Sequence, residues 1–99
     1  MTKKYNLTEK IWLYPGKAGW YFITIPTEVS SDIDFFFSEQ KRGWGSLRVK
    51  VEIGETSWMT SIFPDKKTSS YLLPIKAEVR TKEGLKENSL VEFALEIAG

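Results

Sequence analysis

Three short stretches of this chain carry side chains whose types and spacing suit the capture of an anion. In YLLPIKAEVR, Lys76 and Arg80 stand four residues apart, the separation that puts two side chains on one face of a helix. Ile75 and Val79, one position back, read as the buried seam. Both cations can therefore lay their stems on apolar surface and hold charge at its rim, as an anion clamp would. The competing reading is a solvated helix face, with Arg80 and Lys82 favoured near the negative C-terminal end of the helix. In KRGWG, Lys41 to Gly45, Arg42 can grip an anion, Trp44 can stack on a flat group, and glycine lets a ligand approach the backbone. The alternative is a loop whose tryptophan folds back as a lid on the core. In TSWMTS, Thr56 to Ser61, Trp58 and Thr60 face one way if Met59 and Ser61 face the other. They could line a pocket mouth, although core packing or a cross-strand pair is the commoner use of such a tryptophan. The candidate ligand-binding set is Arg42, Trp44, Trp58, Thr60, Lys76 and Arg80.

The composition narrows the chemistry further. The 99 residues include no cysteine and no histidine. Thiol nucleophiles, disulfides and thiolate metal sites are excluded, and the commonest general base and metal ligand are missing. Catalysis would have to rest on carboxylates, lysine, tyrosine or hydroxyls, and no carboxylate pair stands out. Asp32 and Asp34 fall on different sides of their predicted helix and read as solvated. No glycine-rich loop has phosphate-binding spacing. The expectation is a protein without catalytic residues, metal or cofactor.

The net charge of +1 provides no global field to recruit nucleic acid or an anionic membrane. The charge is nevertheless uneven. Residues 41 to 80 hold eight cations against four anions, and the remainder six against nine. No apolar stretch approaches the ~20 residues of a membrane span. MTKKYNLTEK has no apolar core behind its lysines, so no signal peptide is expected and the Asn6-Leu7-Thr8 sequon is read as chance. A cytoplasmic monomer follows as the expectation. With 41% hydrophobic and 27% charged residues, residues 1–99 suit one globular domain.

The elements that must position these residues are mostly strands. Tyr5 to Tyr14 is rich in β-formers, with Tyr5, Leu7, Ile11 and Leu13 on one parity. A Pro15–Gly19 turn leads to a β run over Trp20 to Ile25. Pro26 stops that run and suits a first helical turn, and Val29, Ile33 and Phe36 or Phe37 then recur at helical spacing. Ser38 to Gly45 reads as a loop. Leu47, Val49, Val51 and Ile53 alternate with Arg48, Lys50 and Glu52, the pattern of a half-buried strand. Gly54-Glu55 turns it into TSWMTSIF as a hairpin. A charged turn at Pro64–Lys67, a short strand from Ser70 to Leu73, a helix from Ile75 to Lys82 with Gly84 as C-cap, and a strand with Val91, Phe93, Leu95 and Ile97 inward complete the order β β α β β β α β. That order suits a small closed or partly open barrel.

The chain also echoes itself. YFITIPTEV and SYLLPIKAEV share a strand–proline–helix grammar, each followed by an alternating strand, with Pro26 and Pro74 48 residues apart. Two related halves would close one barrel. YLLPIKAEVRTKEGLKENSLVEF resembles the AbrB-like swapped-hairpin element, with two extra residues between Pro74 and Gly84 and with Asn88 where that element carries glycine. Over residues 5 to 97 the chain resembles the bacterial domain of unknown function 1905 (DUF1905) family, through WLYPGKAGWYFITIP, RGWGSLRVKVEIGETSWMTSIFP and YLLPIKAEVR. The resemblance implies a mainly β fold: a small double-split β-barrel with AbrB-like halves in one chain, about six strands and two short helices. It brings no activity with it. The resulting expectation is a non-enzymatic binding module with a basic, Trp-rimmed site for an anionic small molecule or peptide. The alternatives are a nucleic-acid-binding regulator, by AbrB-like analogy, and a protein–protein interaction module.

Overall fold

A computed structural model describes residues 1–98. Six strands close into one antiparallel ring. In chain order they are β1 (Thr2–Leu13), β2 (Tyr21–Ile25), β3 (Leu47–Ile53), β4 (Thr56–Asp65), β5 (Ser70–Pro74) and β6 (Leu90–Ala98). Helix α1 (Thr27–Phe37) connects β2 to β3, and α2 (Ala77–Glu83) connects β5 to β6. Two single 3-10 turns, Ser38–Gln40 and Gly43–Gly45, fill the expected loop. The order β β α β β β α β and the mainly β class are as the sequence predicts.

Parity explains the core. On β3 the alternating Leu47, Val49, Val51 and Ile53 point inward and are buried. They meet Val91, Phe93, Leu95 and Ile97 from β6 and Ile23, Ile25, Tyr71 and Leu73 from β2 and β5. Each such aliphatic side chain contributes about 1.5–3 kcal/mol of transfer free energy. Of the two candidate inward phenylalanines on α1, it is Phe37 that is buried, with Ile33.

The ring is built from two sheets that share their long strands. β1 pairs with β6 over Thr2–Lys10 and with β2 only over Ile11–Leu13. β4 pairs with β3 over Thr56–Ile62 and with β5 only over Phe63–Asp65. The ring order β1-β2-β5-β4-β3-β6 is unchanged when β1, β2 and β3 are exchanged with β4, β5 and β6. The register agrees: Thr24 pairs with Leu72, the same sequence step as from Pro26 to Pro74. The strand–proline–helix echo therefore corresponds to equivalent places in the barrel.

Three local readings are corrected. Pro64 and Asp65 belong to β4, and the turn lies beyond them, because both pair with β5 residues. Helix α2 begins at Ala77, with Lys76 extended at φ −68°, ψ 157° as its N-cap, so Lys76 and Arg80 do not share a helix face. Arg80 still donates its backbone N–H to the Lys76 carbonyl at 3.1 Å. Gly84 ends the helix with φ 65°, as a C-cap should.

The third correction concerns Asp32 and Asp34, which are not simply solvated. Asp32 accepts hydrogen bonds from the Tyr5 hydroxyl at 2.5 Å and from Lys3 Nζ at 2.8 Å. Asp34 accepts one from the Tyr71 hydroxyl at 2.5 Å and lies 3.1 Å from Lys41 Nζ. The two carboxylates clip α1 to β1 and β5. Lys3 and Tyr5 hold the Asp32 carboxyl below the usual carboxylate range. Burial first, then the bond to an anion, pushes both phenols well above their ordinary value.

Candidate functional site

The shared strands leave a gap where β4 parts from β5. Beyond the Phe63–Leu72 pair the two strands diverge, and β4 continues alongside β3 alone. A groove of about 510 Å³ opens there, within the range of small-ligand sites. Trp58, Met59, Thr60 and Phe63 line it from β4, Leu72 and Pro74 from β5, and Trp20, Tyr21 and Phe22 from the start of β2. Ile75 and Lys76 close one end.

Each wall has a local cause. Trp58 and Thr60 share the parity of buried Ile62, yet lie where no strand covers them, so they are half-buried. Trp58 rests against the core cluster and also presents a face to the groove. Phe22 and Leu72 have the opposite, outward parity and belong to an aromatic face shared with Trp12 and Tyr14. The Trp12–Phe22 ring centroids are 5.4 Å apart, and Trp12 Nε1 donates to Thr24 Oγ1 at 2.9 Å.

The matching stretch of β1 is occupied differently. There Tyr5 is bonded to Asp32 of the longer α1. On β4 the side-chain hydrogen bond from the shorter α2 falls at Thr56, whose hydroxyl donates to Glu83 Oε2 at 2.6 Å. A seven-residue helix against an eleven-residue one accounts for the open groove.

The cations at the groove differ in freedom. Lys76 is exposed, with Glu78 at 3.5 Å beside it, itself largely exposed. Arg80 is half-buried: its guanidinium carbon lies 3.9 Å from the Tyr21 ring centroid and its Nε donates to the Ile75 carbonyl at 3.2 Å. It stands behind the groove wall rather than inside it.

Trp58, Thr60 and Lys76 thus come together, with Arg80 buttressing Tyr21. Trp44 lies in an adjoining depression of about 1230 Å³ that shares Trp20 and Phe63 with the groove and includes Lys41 and Lys66. It does not fold back on the core: it is 92% exposed and sits at φ 64°. Arg42 is elsewhere, in a separate depression with Lys41, Arg48, Leu47 and Ile97. Lys76, Lys66 and Arg42 line three different depressions. Sequence reasoning misses Trp20, Tyr21, Phe22, Phe63 and Pro74 as groove residues. The outward parity of Phe22 and Phe63 is the signal that could have found those two.

Fold and site together define a small mainly β domain: a closed six-stranded antiparallel barrel with two helices and an open apolar groove. The chain belongs to the family described as a domain of unknown function (DUF1905), whose family model matches residues 8–95. No curated protein matches the chain. Among the described residues, no helix is long and apolar enough to cross a membrane.

Proposed function

We propose that this domain is a non-enzymatic binding module whose groove between β4 and β5 takes an apolar group carrying an anion. The observation that supports it is the exposed Lys76 at the end of a groove walled by Trp20, Phe22, Trp58 and Phe63. Aromatic walls supply most of the transfer free energy and a single cation orients the ligand. Thr60 adds a hydroxyl within the groove. In this reading the site is built without Arg42, which lines a different depression, and Trp44 flanks it.

The placing of Arg42 and Arg48 in a depression apart from Lys76 weighs against the nucleic-acid alternative, since duplex binding rests on a continuous basic surface. Titration with 2-naphthoate and with its uncharged alcohol analogue, followed by tryptophan fluorescence and backbone amide shifts, tests the proposal. The acid should bind more tightly than the alcohol, and Lys76→Ala should remove that preference, about tenfold or ~1.4 kcal/mol. Equal binding of acid and alcohol, or shifts confined to residues outside the groove, would overturn it.

A further inference from the structure

The groove has a backbone feature that its side chains alone do not reveal. Gly54, at φ 56°, begins a two-residue turn closed by the Ile53–Thr56 pair. In such a hairpin the closing pair exchanges both backbone hydrogen bonds, and the bonded pairs then alternate along the ladder. Trp58, Thr60 and Ile62 are consequently the β4 residues bonded to β3. Ser57, Met59 and Ser61 direct their N–H and C=O groups to the opposite edge. Further along β4, Phe63 and Asp65 have that same parity and face Leu72 and Ser70 of β5. At Ser61 the β5 residue opposite is Pro74, which has no N–H to give, and by Met59 β5 has ended, so the row runs on past the last pairing with β5.

An unpaired strand edge is a template for another strand, and proteins ordinarily block such edges with proline, charge or a covering helix. Here the edge is recessed in a groove instead. Pro74 stands across from it and offers no N–H, while the hydrogen bond from α2 to β4 falls at Thr56.

Resting on the groove reading above, we infer that the natural occupant is an extended peptide segment of a partner protein, added as a strand to the free edge of β4 at Met59 and Ser61. Side chains directly opposite those two residues lie over the outward apolar surface of Phe63 and Leu72, and the intervening ones enter between Trp58 and Thr60. An acidic residue at the end near Pro74 meets Lys76, the one cation among the described residues that lines this groove. A rigid small acid would use the aromatic walls and Lys76 but leave the backbone row unpaired.

The test is amide hydrogen exchange by NMR on the whole chain. The probe is a pool of acetylated, amidated hexapeptides with glutamate fixed at either end. In the free protein the Met59 and Ser61 amides should exchange far faster than those of Trp58 and Thr60. At saturation the pool should slow exchange at Met59 and Ser61 at least tenfold, and backbone N-methylation of the selected peptides should weaken binding at least tenfold. If N-methylated peptides bind equally well, or peptides shift the groove without protecting these amides, strand addition is wrong and the groove reading survives. Strand addition alone also fails if 2-naphthoate binds but no peptide in the pool does. If neither binds, both fall. Protection of Met59 and Ser61 without peptide, rising with protein concentration alongside dimer in sedimentation, would assign the edge to a second copy of the chain and overturn the inference.

Discussion

Arg80 lies over Tyr21, with its guanidinium carbon 3.9 Å from the ring centroid, while its Nε is tied to the Ile75 carbonyl. Lys76, four residues earlier, pairs with an exposed glutamate. Two cations that look alike in sequence therefore have different work. Arg80→Ala should lower stability by about 1–2 kcal/mol, through lost stacking, packing and a carbonyl partner. Arg80→Lys should recover only part, because an ammonium cannot stack as a plane. Lys76→Ala should stay within about 0.5 kcal/mol of the parent, as exposed ion pairs do. Urea denaturation of the three variants measures the split; equal losses at both positions would refute it.

The Tyr5–Asp32 and Tyr71–Asp34 clips predict how stability responds to alkali. Both phenols are raised above their ordinary value in the folded state, so folding favours their protonated forms. Their contribution is complete below pH ~10, where the unfolded phenols are also protonated, and is lost as pH rises beyond that point. Asp32 is shifted the other way: its contribution is present at neutral pH and is lost as pH falls through the acidic range below about 4. Denaturant midpoints measured from pH 7 to 11 should be level and then fall. Tyrosinate absorbance should show two of the four tyrosines ionising only as the chain unfolds. Tyr71→Phe should cost about 1 kcal/mol at pH 7 and flatten the alkaline fall.

Those clips mark where sequence reading ends. The parity of Leu47, Val49, Val51 and Ile53 is a local property, and it identified strand, face and core together. Pro26 and Pro74 likewise announced their junctions, since proline ends a ladder wherever the chain then goes. Asp32 and Asp34 read as solvated because their partners lie 27 and 37 residues away, beyond any helical spacing. Arg42 and Lys76 carried the same chemical signature, and only the ring order separates them. The open groove depends on α2 being too short to cover β4, a difference between the two halves that Trp58 and Thr60 could suggest but not locate.

Gly54 offers a sharper test of how α2 is seated. A Cβ at this position would stand 2.2 Å from Glu83 Oε1, on a backbone at φ 56°. Gly54→Ala should therefore destabilise by about 2 kcal/mol or more, part from the left-handed backbone and part from displacing Glu83. Adding Glu83→Ala removes the collision and the Thr56 hydrogen bond together. In the double variant Gly54→Ala should then cost only the backbone part, about 1–2 kcal/mol. A double-mutant cycle by chemical denaturation reads this directly: strict additivity would mean that Glu83 yields freely and does not fix the helix over the turn.

The tryptophans give the last contrast, because Trp44 and Trp58 both stood among the candidate ligand-binding residues. Trp44 is 92% exposed on a turn beside Gly45, and its truncation to alanine removes almost no packing. Trp44→Ala should leave stability within about 0.5 kcal/mol, or raise it slightly, and should reduce the affinity of any ligand long enough to cross Trp20 and Phe63. Trp58 packs on the core with one face and lines the groove with the other, so Trp58→Ala should cost about 2–4 kcal/mol. Trp58→Phe should keep most of that stability, since an aromatic still covers the core, while altering the groove floor. Ligand titrations on folded Trp58→Phe then separate the two faces: unchanged affinity with unchanged stability would mean that Trp58 serves the core alone and that the groove's recognition lies with Trp20, Phe22 and Phe63.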